Sequence, residues 1–316
     1  MRLGAGAIAS LVLLAAAPAW AQVDGDEPVV APESGTTSED SEPASGQAVG
    51  QRIAQPYAQR TITMPARTLR LSAFFSGHRR DLALDHDFVF AFQIGGAYGI
   101  TDDLEIGIGT EKIGPSAIFA GRSAASGWRP TGEGLLSFVV ADGDLDFGDI
   151  PIYGRYRFLS TDLVELGAEI AVLIPTLTDF ALRFGVPVRL HAGEIFALDT
   201  GLYFSMVFGP DPAPSGLDDE FWGGMWIPIR PVINVADWLG LALTTGLHIG
   251  PFDNDHISIP LGLEAVASFP MGTASMLDLV AGFEWPAFLR PGTDNNDKAE
   301  VSTYVLSAGA RLYFGL

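Results

Sequence analysis

The chain holds 316 residues, with 38 acidic against 18 basic side chains, a formal charge of −20 and no cysteine. This acid excess argues against nucleic acid as a partner, and the absence of thiols excludes disulfides and thiolate metal sites. Apolar residues make up 48% of the chain. Yet past the N-terminus no run approaches the ~18 consecutive apolar residues of a spanning helix, which leaves a β-protein, soluble or membrane-embedded.

Residues 1–21 read as a secretory signal peptide. Arg2 gives the positive start, Ile8 to Ala17 the apolar stretch, and Ala19-Trp20-Ala21 a small-x-small cleavage site before Gln22. The alternative, an uncleaved anchor, has too short an apolar run. Residues 22–60 are rich in Ser, Pro and acid: Asp24, Asp26, Glu27, Glu33, Glu39, Asp40 and Glu42 precede the first basic residue, Arg52. Such a stretch buries too little apolar surface to offset its ordering entropy, so a disordered periplasmic segment is predicted. Docking to a cationic partner is the alternative to plain solvation.

Residues 61–316 alternate with period two, as strands do. Twelve strands are expected, near 67–77, 87–99, 103–110, 148–159, 163–174, 182–191, 195–208, 222–235, 238–250, 256–268, 276–286 and 301–314. In "VELGAEIAVLI" Val164, Leu166, Ala168, Ile170, Val172 and Ile174 share the apolar face, with Glu165, Gly167 and Glu169 opposite. Short breaks such as "GITDDL", "LSTDL" and "HAGEI" alternate with long or acidic ones such as "PFDNDH" and "RPGTDNNDKAE". Aromatics lie at strand ends: Tyr98, Phe158, Trp238 and Phe314 beside short turns, and Phe75, Trp222 and Trp285 beside long loops.

The fold expected is therefore all-β: a transmembrane up-and-down antiparallel β-barrel. A soluble β-sandwich would alternate too, but nothing else in the chain remains to cover the apolar face. The break at 111–147 leaves two options. Its run "GEGLLSFVVADGDL" forms either an extracellular hairpin or part of a fourteen-stranded ring; twelve is preferred because 117–121 is too short to pair across a membrane.

The signal peptide, the hairpin "YGITDDLEIG" (98–107) and the final strand "LSAGARLYF" (306–314) resemble proteobacterial outer-membrane β-barrels of the transporter type. That resemblance implies a Gram-negative outer membrane, both termini in the periplasm, contact with lipid and lipopolysaccharide, and assembly by the barrel assembly machinery. The strand differs from the usual assembly signal in carrying Gly315-Leu316 after the aromatic.

Projecting charge onto the small-residue face places Glu105, Glu165, Glu169, Asp199, Glu264, Asp278 and Glu284 in the lumen, with Arg70, Arg155, Arg157, Arg183, Arg189, Arg230 and Arg311. On the lipid face an arginine costs about 2–4 kcal/mol at midplane. Two readings stay open: ion pairs that fill a narrow barrel, or a charged lining that guides a small solute. By the same projection Leu166→Arg should hinder folding into bilayers, and Gly167→Arg should be tolerated better.

Other chemistry is thin. Asp85-His86-Asp87 at a predicted rim is the weak candidate for an outer-membrane protease, and His248 has no evident serine partner for a lipase. Asp142, Asp144, Asp146 and Asp149 are spaced like a calcium loop, but Phe147 replaces the turn glycine and Tyr153 the closing glutamate, leaving only a weak metal candidate. No cofactor is expected. The reading is a non-enzymatic barrel passing small solutes passively; the alternative is a structural or surface-interaction barrel whose lumen is plugged by charge.

Overall fold

Alternating small or charged residues with larger apolar ones gives a strand two unlike faces, and strands form at every predicted place. The computed structural model describes residues 53–82, 85–109, 136–141, 144–147, 150–174, 180–208, 221–249, 257–289, 291 and 304–316. The predicted signal peptide and the acidic stretch to Glu42 lie outside them. The strands are β1 (Thr68–Leu82), β2 (Asp85–Gly99), β3 (Leu104–Ile108), β4 (Leu136–Ala141), β5 (Asp144–Phe147), β6 (Ile150–Ser160) and β7 (Val164–Ile174). They continue as β8 (Phe180–Ala192), β9 (Phe196–Phe208), β10 (Phe221–Ala236), β11 (Leu239–Ile249), β12 (Ile257–Pro270), β13 (Ser275–Leu289) and β14 (Tyr304–Gly315).

All fourteen belong to one antiparallel sheet. Chain neighbours pair from β6 to β14, and β14 returns to β1 in the register Thr68↔Gly315 to Arg79↔Tyr304, which closes the ring. Closure satisfies the backbone N–H and C=O groups that an open edge would leave unpaired in lipid. Twelve strands make the closed circuit.

The region 111–147 explains the two extra strands. β3 pairs with β2 only over Gly96–Gly99, and β4 takes the other half of β2, Phe90–Ile94. β5 folds back on β4 as a hairpin. The run in "LLSFVVADGDL" is thus a hairpin added to one end of the wall rather than two further staves.

Facing follows the alternation. In β7, Glu165, Gly167, Glu169, Ala171 and Leu173 are buried while Ala168, Ile170 and Ile174 are exposed. Phe184, Val186 and Leu190 in β8 and Leu306 in β14 are exposed large apolar side chains too. An exposed apolar exterior around a charged interior suits hydrocarbon outside and polar contents within. Near the short turns, exposed Trp238 stacks with Phe269 at 6.4 Å between ring centroids, and Phe158 is exposed beside them. At the other end Phe180 meets Phe208 at 6.1 Å and Phe283 meets Trp285 at 4.4 Å. Phe75 is displaced from its expected rim position: β1 runs on to Leu82, so Phe75 sits mid-strand opposite Phe92 and Ala308.

The boundary expected at residue 61 is also corrected. Residues 53–66, a strap before β1, pack inside the ring, with Ile53, Tyr57, Ala58, Ile62 and Met64 buried. Tyr57–Gln59 form one turn of 3-10 helix begun by Pro56, whose fixed φ suits such a start. The residues between 53 and 60 are therefore ordered. Their order comes from the wall, since the strap makes no ladder of its own.

Candidate functional site

The strap crosses the lumen at the short-turn end and joins opposite walls. Tyr57 lies against β11, where a Cβ on Gly240 would come within 2.8 Å of the Tyr57 Cβ. Only glycine leaves room for the ring. The Tyr57 hydroxyl donates to Glu264 of β12 at 3.2 Å and accepts from Arg230 of β10 at 2.9 Å. The Ala58 N–H donates to Asn234 Oδ1 at 2.9 Å.

Arg60 turns toward β12 and β13. Its two Nη atoms reach Asp278 at 2.6 and 3.0 Å, and Nη2 also donates to Ser268 Oγ at 2.8 Å. Burial works against its charge, but the attraction and hydrogen bonds of Asp278 together with Tyr313 and Tyr57 outweigh it and raise its pKa above the ordinary arginine value. Arg60 therefore stays a guanidinium. Its own carbonyl accepts from Arg189 of β8.

The remaining residues bind the far wall. The Ile62 N–H donates to Glu165 at 2.9 Å and the Ile62 carbonyl accepts from Arg155 at 2.7 Å. The Met64 N–H donates to Glu105 at 2.9 Å, and the Ala66 N–H to Asp102 Oδ1 at 2.9 Å. Wall side chains thus take the backbone groups that a β-ladder would otherwise pair.

The predicted charges gather into clusters around this strap. Glu169 is shared by Arg155, at 2.7 Å, and Arg183. Asp199 is shared by Arg189 and Arg230, with Arg230 reaching on to Glu264 at 2.9 Å. Arg157 bridges Asp103 at 2.8 Å and Glu165 at 3.4 Å. Arg70 and Glu105 meet through the Tyr153 hydroxyl, which accepts from Arg70 at 3.0 Å and donates to Glu105 at 2.6 Å. Arg311 lies directly across from Asp278 in the β13–β14 register and over the Phe74 ring at 5.5 Å. Glu284, near the other end of β13, is half-buried.

Several members were not expected. Tyr57, Arg60, Tyr153, His191 and Asn234 all join the site, with His191 3.1 Å from Glu165. Tyr153 has the inward parity of its strand, a signal that looking for charges alone misses. Tyr203 is fully buried, lies over Gly185 and faces Arg183 at 5.9 Å from its ring centroid.

The metal candidates fall largely outside the described residues. Asp142 and Asp149 lie outside the described residues; Asp144 and Asp146 fall in β5, across from Ala141 and Val139, with side chains outside the described set. Among the described residues no group of three His, Cys, Asp or Glu is arranged to hold a metal ion. Asp85-His86-Asp87 begins β2, with side chains likewise outside the described set.

Gly167 is more confined than its facing alone implies. It faces inward, but a Cβ there would lie 3.0 Å from Ile62 Cδ1 and 3.0 Å from the Tyr156 carbonyl oxygen. Arginine at this position has no free space, because the strap occupies it. Gly167→Arg is expected to displace Ile62 and break its bond to Glu165. Limited trypsin digestion checks this: cleavage after Arg60 should be slow in the native protein and fast in the variant. Equal rates would mean that Ile62 does not occupy that space.

No protein-family model matches the chain, and no curated protein matches it in sequence. Solved structures overlap it loosely. An outer membrane channel from Pseudomonas putida matches at 14% identity and TM-score 0.45, covering 80% of this chain and 97% of that one. The translocator domain of the autotransporter NalP from Neisseria meningitidis matches at 8% identity and TM-score 0.44, covering 79% and 88%. The KdgM porin matches at 7% identity and TM-score 0.40, covering 76% and 97%.

Proposed function

We propose that the chain is an outer-membrane channel that passes small solutes passively, with its short-turn end and both termini in the periplasm. One observation carries this reading: the inward face of a closed barrel carries paired arginines and carboxylates, such as Arg183 with Glu169 and Arg230 with Asp199, among buried apolar residues. Such a lining tolerates water and can discriminate solutes by charge. The strap is then its constriction. A second reading, a structural barrel sealed by charge, draws on the pairing of Glu169 and Asp199 with two arginines each.

Single-channel recording of the refolded protein separates the two. Conductance is expected; its absence from a folded protein that shows heat-modifiable gel migration would leave the sealed barrel. The variant Arg183→Gln with Arg189→Gln is expected to fold and to shift ion preference toward cations, because Glu169 and Asp199 stay while positive lining is removed. Unchanged selectivity in the conducting double variant would take these arginines out of the filter. Fractionation with outer membranes is expected, and recovery as a soluble periplasmic monomer would count against the membrane reading.

A further inference from the structure

The strap is bound like a ligand. Its side chains fill wall positions that fit them: the Tyr57 ring over Gly240, with its hydroxyl between Arg230 and Glu264, and the Arg60 fork on Asp278. Its backbone is held at one residue from both sides, the Ile62 N–H by Glu165 and its carbonyl by Arg155. These contacts span 93 to 218 residues of sequence, so they come from the wall and not from the local chain. Recognition of a backbone by wall donors and acceptors, with selected side chains in shaped seats, is how peptide sites work.

The arrangement also allows release. The groups that hold the strap are charged and line a lumen, so water can replace the strap on Glu165, Glu105 and Asp278 without leaving them dry. A strap joined directly to β1 stays near its site at a millimolar effective concentration, which favours the bound state while permitting exchange.

We propose that the short-turn end of the lumen is a peptide-binding site whose resident ligand is residues 53–66, and that occupancy of this site gates the lumen. The site takes a peptide with an aromatic residue opening a 3-10 turn, an arginine three positions on and an aliphatic residue two beyond it, as in Tyr57, Arg60 and Ile62. The gating clause rests on the channel reading given above; the binding site does not.

The test uses the full chain carrying Tyr57→Ala and Arg60→Ala, which loosens the resident strap. A fluorescent peptide with the wild-type sequence of residues 53–66 is added to the refolded protein and followed by anisotropy. The wild-type peptide is expected to bind at least about tenfold more tightly than the same peptide with both alanines, a difference of roughly 1.4 kcal/mol. In bilayers the loosened variant should conduct more than the native chain, and the wild-type peptide on the short-turn side should bring it back down. Equal binding of the two peptides, or none, overturns the site.

A covalent lock gives a second measurement. The chain has no cysteine of its own, so Tyr57→Cys with Gly240→Cys supplies the only thiols. The two Cβ atoms start 2.8 Å apart, and a disulfide needs ~3.5–4.5 Å, a shift the strap can make. Low conductance when oxidised and higher conductance when reduced support gating; the same conductance in both states overturns it. Sequence-selective peptide binding with no conductance in any variant keeps the site and removes the channel.

Discussion

Replacing Glu169 with leucine is expected to be among the most destabilising single changes in the barrel. Glu169 sits between Arg155 and Arg183, all three buried. Removing it leaves two guanidinium groups facing each other without the carboxylate that holds both. Breaking a buried pair by deleting one partner costs about 3–5 kcal/mol, because the remaining charge is uncompensated. Here two charges remain. Urea titration of the protein in lipid vesicles reads the loss directly. Glu169→Gln keeps acceptor oxygen but not charge, so it should fall between native and leucine. If glutamine and leucine match the native midpoint, the cluster contributes nothing net to stability.

The second large effect lies one residue along the same strand. Ile170→Arg is expected to cost about 2–4 kcal/mol and to slow insertion, because Ile170 is exposed near the middle of β7 and faces hydrocarbon. Glu169 and Ile170 are adjacent in sequence and opposite in facing, so the pair tests register with neighbouring positions. A one-residue slip would exchange their environments. Ile170→Arg should therefore fold in detergent and fail in thick bilayers, whereas Glu169→Leu should be weakened in both. Folding of Ile170→Arg into bilayers at the native rate would place that face away from lipid.

The wall was readable because its alternation is long and regular. Thr101-Asp102-Asp103 interrupts the pattern, and the chain turns there, with the Ile100 N–H donating to the Leu104 carbonyl. Runs such as 182–191 and 238–250 predict strands whose observed ends, Phe180–Ala192 and Leu239–Ile249, differ by one or two residues. Inward parity then follows for Arg183 or Glu264 without knowing any contact.

The strap was not readable by the same means. "IAQPYAQRTITMPA" has no period, follows an acidic stretch, and holds one charge, Arg60. Its order depends on single bonds from strands that are distant in sequence, such as Asp278 and Glu105. Composition describes what a segment can bury by itself, whereas here the wall supplies the partners. Gly167 shows the limit: parity predicts that it points inward, but not that Ile62 already stands there.

The division of β2 between β3 and β4 makes the two rims unlike in their pairing among the described residues. At the short-turn end every stave is laddered to its neighbours, a complete hoop further braced across its diameter by residues 53–66. At the opposite rim the wall beside β2 passes to the hairpin, and among the described residues β5 pairs with β4 alone. A hoop resists widening because each ladder must yield together. Lateral pressure from the bilayer therefore meets the short-turn rim as one braced ring and not as separate strands.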